Sequence, residues 1–350
     1  MEERAILLAS IAKEIETYRQ GEIPKPTPMH VDKWARQFSP ENQLAFLREF
    51  NHVIKETFIT EAGLKAWIEN LVTNAKVTGG TPASYWRNAN FLKIQKNGQS
   101  QKEMLKLFTA CLYEKYQINL DTCGVQGGDF IYLDDLIFSG NRVGNDLNDW
   151  IINHAPASAR VLVIVAAIHS SGDYFLKKKK LVDVIKASGK SIEINYWRAL
   201  TIENSKYYKN SSGVLWPESI PDVESVRKYM SIPSKFPFEP RQPTPNTVWP
   251  FSSQFGRQVL EREFLIAGAK IIAKCDNPKT SMRPLGFSPF GVGFGSMLST
   301  YRNCPNNCPL ALWWGNSGAT SGALEWYPLL PRKTYASPEN VFDVFPPVTF

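Results

Sequence analysis

Phe130-Ile131-Tyr132-Leu133-Asp134-Asp135-Leu136-Ile137-Phe138-Ser139-Gly140-Asn141-Arg142 is an apolar run that ends in two carboxylates and a small-residue turn. It reads as a buried strand over 130–133 that carries Asp134 and Asp135 to its carboxyl end, followed by a turn, Ser139-Gly140-Asn141, that opens a helix near Val143. Gly140 permits positive φ and lets a ligand come close to the backbone. Successive N–H groups of such a turn form an anion cradle at the positive end of the helix that follows, and phosphate suits it. The two carboxylates accept hydrogen bonds from vicinal hydroxyls, directly or through a divalent cation held by oxygen. Phosphate plus diol describes a ribose 5-phosphate. An ordinary strand-turn-helix with solvated acids remains open on these residues alone.

Outward from this stretch, residues 85–200 alternate between strand and helix patterns, which predicts a parallel or mostly parallel sheet. Strands are expected at 91–95, 130–135, 160–168 and 192–197, and helices at 101–115, 143–154 and 174–187. Right-handed crossovers put the carboxyl ends of such strands on one edge, where ligands of open α/β sheets bind. Lys96-Asn97-Gly98-Gln99-Ser100-Gln101 follows the first strand and opens a helix, so Gly98 and Ser100 are candidates for a second anion cradle or for a plain turn with Ser100 as N-cap. His169 ends the Val-Leu-Val-Ile-Val-Ala-Ala-Ile strand, where its imidazole is a candidate to meet a base or act as acid or base; a structural histidine is the alternative.

Residues 1–75 read as helices, at 3–19, 30–38, 40–55 and 61–73, with Ser39 as a cap and Pro40 at the first helical position. Gly79-Gly80-Thr81-Pro82 punctuates their end. Residues 200–250, rich in Pro, Ser and aromatics, read as an irregular surface excursion, and 256–274 as an amphipathic helix. The segment Thr300-Tyr301-Arg302-Asn303-Cys304-Pro305-Asn306-Asn307-Cys308-Pro309 is a proline-braced loop feeding an expected strand at 310–314. Arg302, Asn303 and Asn307 are candidates to recognise a base, phosphate or partner; a rigid turn whose asparagines satisfy its own backbone is the alternative. Three parts follow: a helical domain over 1–78, an α/β core over 85–235 and an extension over 236–350 packing on the core.

The chain has 350 residues, is 43% hydrophobic and carries a formal net charge of +7. Its mean hydropathy of -0.26 suits a folded globular chain. No apolar run reaches the ~20 residues that span a bilayer, and Met1-Glu2-Glu3-Arg4 is unlike a signal peptide, so a cytoplasmic protein without membrane contact is expected. Five scattered cysteines argue against a disulfide framework, and Cys304 with Cys308 is the lone close pair for a zinc site. The basic run 177–180 reads as a solvated helix face, with a nucleic-acid contact as the alternative.

The 130–142 segment resembles the ribose-phosphate motif of phosphoribosyltransferases: a hydrophobic strand, two acids, three mostly apolar residues, then Thr or Ser, Gly, a variable residue and commonly Thr. Asp134, Asp135, Ser139 and Gly140 match in register, and Arg142 stands where Thr is usual, offering a charge-assisted phosphate contact. The resemblance implies an α/β, phosphoribosyltransferase-like fold: a mostly parallel sheet with flanking helices, here with an N-terminal helical domain and an irregular C-terminal extension. It further implies phosphoribosyl pyrophosphate (PRPP) or a nucleotide as ligand, and a magnesium ion, Mg2+, served by Asp134 and Asp135. Ser139 to Arg142 would take the 5-phosphate, and the Gly98 to Ser100 turn the pyrophosphate.

The wider layout resembles phosphoribosyltransferase-like effectors of bacterial conflict and anti-phage systems, including retron-associated ones. The resemblance lies in Trp34-Ala35-Arg36-Gln37-Phe38, Gly98-Gln99-Ser100-Gln101, the 132–142 motif, and Asn303-Cys304-Pro305-Asn306-Asn307 followed by Trp313. It implies a defence setting with an operon-encoded partner such as a reverse transcriptase and its non-coding RNA. The rival is a sensor or docking subunit that kept the pocket and lost the chemistry, because the short stretch before Phe130 holds no Lys or Arg after Tyr116. Direct nucleic-acid binding through the basic surface is a third reading.

Overall fold

β-Branched residues crowd the middle of the chain, and hydrogen bonding of these runs side by side builds its main sheet. The computed structural model describes residues 2–96, 99–124 and 127–333. In chain order the elements are α1 (Glu2–Glu14), α2 (Pro28–Ala35), α3 (Gln43–Thr57), β1 (Phe58–Ile59), α4 (Glu61–Val72), α5 (Ala75–Thr78), α6 (Pro82–Asn88), β2 (Asn90–Phe91), α7 (Ser100–Tyr116), β3 (Phe130–Ile137) and α8 (Asn141–Asn153). Then come β4 (Ser158–His169), α9 (Ser170–Phe175), α10 (Leu181–Ser188), β5 (Ser191–Ile202), α11 (Glu224–Met230), α12 (Gln254–Ala273), β6 (Ser299–Thr300) and α13 (Leu310–Trp313).

The backbone divides into two units: Ala62–Tyr208, and the chain up to Glu61 together with the chain from Lys209 onward. This partition differs from three sequential parts. The apolar faces of α1 to α3 pack on one another, and the same core continues into the chain beyond Lys209. Trp34, Phe46 and Phe50 share one core with Phe264 of α12 and with Leu310, Leu312, Trp313 and Trp326. Trp34 donates its Nε1–H to the Ala311 carbonyl at 2.7 Å.

In the unit Ala62–Tyr208 the sheet order is β2-β3-β4-β5, all parallel. Asp134 is level with Val165, Ile137 with Ile168, and His169 with Ile202. Tyr132, Val161, Val163 and Val165 form one core with Val143, Leu147 and Ile151 of α8 and Leu181 of α10. α7 packs along β3, burying Met104, Leu105 and Phe108. The fold is thus α/β, a parallel sheet flanked by helices. β2 stops at Phe91 instead of reaching residue 95. The Gln101 side-chain oxygen accepts the N–H groups of Ile94 and Gln95 at 2.9 and 3.0 Å, withdrawing them from the ladder.

In the other unit, Thr27 caps α2 by accepting the His30 N–H at 3.2 Å, with Pro28 at the first position. Ser39 makes no side-chain cap. Its N–H goes instead to buried Glu263 at 3.0 Å, and the helix begins as a 3-10 turn over Pro40–Asn42. The strand expected at 310–314 is the short helix α13, which starts after Pro309 and is held by the Trp313 Nε1–H on the Cys308 carbonyl at 2.9 Å. Among the described residues no helix is long and apolar enough to cross a membrane.

Candidate functional site

β3 runs on past its acids to Ile137, so Asp134 and Asp135 sit inside the carboxyl-terminal half of the strand rather than beyond its end, and alternation sends the two side chains to opposite faces. Asp134 is 2% exposed and Asp135 half-buried. Asp134 Oδ1 accepts the Asp135 N–H at 2.9 Å, and the Ser100 hydroxyl donates to the same carboxyl group. Ser100 Oγ in turn accepts the Gln95 amide at 3.0 Å. Burial first, then the charge of Asp135, pushes Asp134 up to about 7, against the opposing pull of Ser100, the Asp135 N–H and Arg142. A carboxyl group held half-protonated near neutrality, in a site its neighbours do not neutralise, marks a place prepared for something else.

The turn after β3 is seated on backbone. Gly140 has φ +79 and caps α8, whose first helical bond runs from the Gly144 N–H to the Gly140 carbonyl at 2.8 Å. Asn141 and Arg142 are exposed at this N-terminus, and the Asn141 N–H lies 3.4 Å from Ser139 Oγ. Opposite, α9 presents Gly172, where an added Cβ would stand 2.1 Å from the Phe138 carbonyl oxygen. Only glycine fits there, and the contact fixes the turn's height over the sheet.

His169 is fully buried below this turn. Its Nδ1 is 3.2 Å from the Ile137 carbonyl, and its ring stacks on Phe138 with centroids 4.8 Å apart. Burial lowers it to about 4, so it is neutral at pH 7. Held between the Ile137 carbonyl and the Phe138 ring, the imidazole braces the turn from below, and the acid–base role expected of it stays a proposal.

Ser100 is the first residue of α7 and meets Asp134; Gln99 holds the cap position. Gly98 lies outside the described residues. Arg302 and Asn303 belong to the other unit. There Asn303 pairs with the Lys333 backbone, accepting its N–H at 2.9 Å and donating to its carbonyl at 3.2 Å, while Asn307 donates to the Phe287 carbonyl at 3.2 Å. For Asn303 and Asn307 these are the bonds of a braced turn, and both Arg302 and Asn303 lie in the unit that does not contain β3. Cys304 and Cys308 are buried free thiols in mutual contact, and burial drives Cys308 well above the usual thiol range.

The model of the PRTase-CE family matches residues 31–332. The chain belongs to the PRTase-CE family. It is therefore a phosphoribosyltransferase-like protein, in agreement with its α/β fold. No curated protein and no solved structure matches it.

Three features of this PRTase-CE site escaped sequence reading. Gln95 and Gln101 clasp the base of the turn after β2: each side-chain oxygen accepts the other's backbone N–H, at 3.1 Å on Gln95 and 3.0 Å on Gln101. Tyr132 donates its hydroxyl to Asp146 of α8 at 2.8 Å, and Asp146 also takes the Lys96 N–H, tying the β2 turn to α8. Ser170 at the end of β4 donates to Glu203 at 2.6 Å. The visible signals were the Gln-x5-Gln spacing and the Ser-Ser-Gly run after β4, neither specific by itself.

Asp134 and Asp135 offer the hard oxygen donors that magnesium prefers, and the repulsion between them is what a divalent cation relieves. Among the described residues no group of three His, Cys, Asp or Glu is arranged to hold a metal. That donor set fits magnesium, which takes one or two carboxylates and completes its shell with water and ligand phosphates.

Proposed function

We propose that this chain binds the ribose 5-phosphate of PRPP or of a nucleotide at the carboxyl edge of β3 and transfers or releases the ribosyl phosphate. The observation carrying this reading is the buried carboxyl group of Asp134 next to Asp135, on the strand that leads into a glycine-capped helix N-terminus. The 5-phosphate sits on the N–H groups of 140–143, with Arg142 in charge-assisted contact. Asp134 and Asp135 accept the ribose hydroxyls and face the positive charge that grows on the ring as the C1–oxygen bond breaks. For PRPP the electron pair of that bond leaves with pyrophosphate, and for a nucleotide the pair of the C1–nitrogen bond leaves with the base, which takes a proton from solvent; a nitrogen or water oxygen lone pair forms the new bond to C1, and the acceptor's proton passes to solvent. A magnesium ion served by Asp134 and Asp135 would neutralise the leaving pyrophosphate.

The sequence resemblance to anti-phage effectors, retron-associated ones among them, supports a role for this activity in bacterial defence in the cytoplasm, with a reverse transcriptase and non-coding RNA as the kind of partner. A second reading is favoured by one observation: residues 117–129, between α7 and β3, contain no Lys or Arg to close over a leaving pyrophosphate. On it the chain is a nucleotide sensor.

Calorimetry with PRPP and magnesium on wild type and on Asp134→Asn/Asp135→Asn is the test. Micromolar binding that falls at least 100-fold in the double variant is expected; equal binding by both overturns the assignment. Pyrophosphate release by wild type separates the enzyme from the sensor.

A further inference from the structure

Tyr174 on α9 is 60% exposed, and Tyr207 and Tyr208, just past β5, are 82% and 61% exposed. Scattered exposed rings need no explanation, but these gather on one edge. Asn204, three residues before Tyr207, accepts the Ser171 N–H at 2.9 Å and gives its own N–H to Ser170 Oγ at 3.1 Å. That pins the chain after β5 to the start of α9, and Tyr174 stands about one helical turn further on.

The same edge is basic. α9 continues into a π-helical turn, Leu176–Lys180, a rare geometry that recurs at functional sites. Leu176 packs against Gly140 and Lys180 against Gly144, so this turn borders the first turn of α8 and its exposed Arg142. Lys178 and Lys179 are exposed and enter no ion pair among the described residues. Lys206 lies 5.3 Å from the Tyr207 ring centroid. Of the acids along this edge, Asp173 pairs with Lys177 at 2.8 Å, Glu203 accepts from Ser170 and from the Ser205 N–H, both at 2.6 Å, and Asp183 is exposed and enters no ion pair among the described residues.

Aromatic faces interleaved with lysines that form no ion pair among the described residues are the elements of a single-strand nucleic-acid surface: rings stack on bases of any identity, and ammonium groups follow the phosphates. We infer that single-stranded nucleic acid binds along Tyr174, Tyr207, Lys178, Lys179 and Lys206, beside the β3 turn. The strand runs past Arg142, so a base or an end of that strand is brought to the ribose-phosphate site. Duplex is excluded because its bases are stacked on each other and unavailable to the rings.

Fluorescence anisotropy with a labelled 20-nucleotide single-stranded RNA, the same DNA sequence, and its duplex tests this on the full chain. Binding of at least one single strand at 50 mM salt is expected. Three to four phosphate contacts lower the affinity roughly 20- to 50-fold by 200 mM. Tyr174→Ala/Tyr207→Ala should weaken binding at least tenfold, and Lys178→Glu/Lys179→Glu should weaken it and flatten the salt dependence. Ribose 5-phosphate binding, measured by calorimetry on the same variants, should stay within twofold of wild type. No single-strand binding at 50 mM salt, equal affinity for duplex, or a tyrosine variant within twofold of wild type each overturns the inference. Loss of ribose 5-phosphate binding in wild type bears on the proposed function instead, and the two failures are distinct.

Discussion

Both units bury carboxyl groups, and they treat them in opposite ways. Glu261 of α12 lies between Arg257 and Arg241, at 2.7 and 2.9 Å, and also accepts the Trp216 N–H at 3.0 Å. Glu49 accepts the N–H and hydroxyl of Ser252, and Glu263 takes Ser39 and Asn42. Burial raises Glu261, but Arg257 and Arg241 pull it back down. Asp134 is as deeply buried, and its nearest charged neighbour is another carboxylate that pushes it further up. Compensated burial builds a core; uncompensated burial builds a site that a ligand completes.

The sharpest way to break this contrast is to delete each carboxyl group and compare signs. Glu261→Ala leaves buried Arg257 without its carboxylate and Arg241 with Glu218 alone, and should cost about 3–5 kcal/mol in denaturant unfolding. Asp134→Asn should do the reverse. Its displacement from 3.8 to about 7 sets a ceiling of about 4 kcal/mol on the gain. A raised carboxyl pKa means the unfolded chain loses its proton first as pH climbs from about 4. Wild type is therefore penalised progressively up to pH 7, and the variant's advantage should be full above pH 7 and gone near pH 4. His169 works the other way, since its lowered pKa withdraws stability as pH falls from 6.5 toward 4. Thermal midpoints of the two chains across this range, taken as a difference, isolate Asp134. A destabilised Asp134→Asn chain would end the comparison.

Two smaller effects sharpen it. Gly172→Ala forces a Cβ onto the Phe138 carbonyl and should cost about 1–3 kcal/mol while weakening ribose 5-phosphate binding, read by melting and calorimetry together. Tyr132→Phe removes the donor to Asp146 and should cost about 1.5 kcal/mol. Because Asp146 also holds the Lys96 N–H, that variant should lower affinity for pyrophosphate more than for ribose 5-phosphate.

Much of the site's backbone was legible beforehand. The strand, Ser-Gly turn and helix of 130–153 are present as the sequence reads them, with the strand running on through the acids to Ile137, because their signals are local: apolar residues, a glycine at positive φ and a helix start within a dozen residues. The expected helix over 40–55 and the helix over 256–274 were legible on the same ground. The polar wiring was not. Gln95, Gln101 and Asp146 carry no distinctive residue type, and each acquires its role from a partner on another element.

By itself the sequence determined the periodicities, the positions of Asp134, Asp135 and Gly140, and the family. Tertiary structure alone decided that Trp34 closes a core with Ala311, nearly the length of the chain away, and that His169 is enclosed. It also decided that Asn303 braces Lys333 and that Asp134 keeps its proton near neutrality. The division has one cause: conformational preference is set by neighbours along the chain, whereas burial and charge compensation are set by whichever segments folding brings alongside.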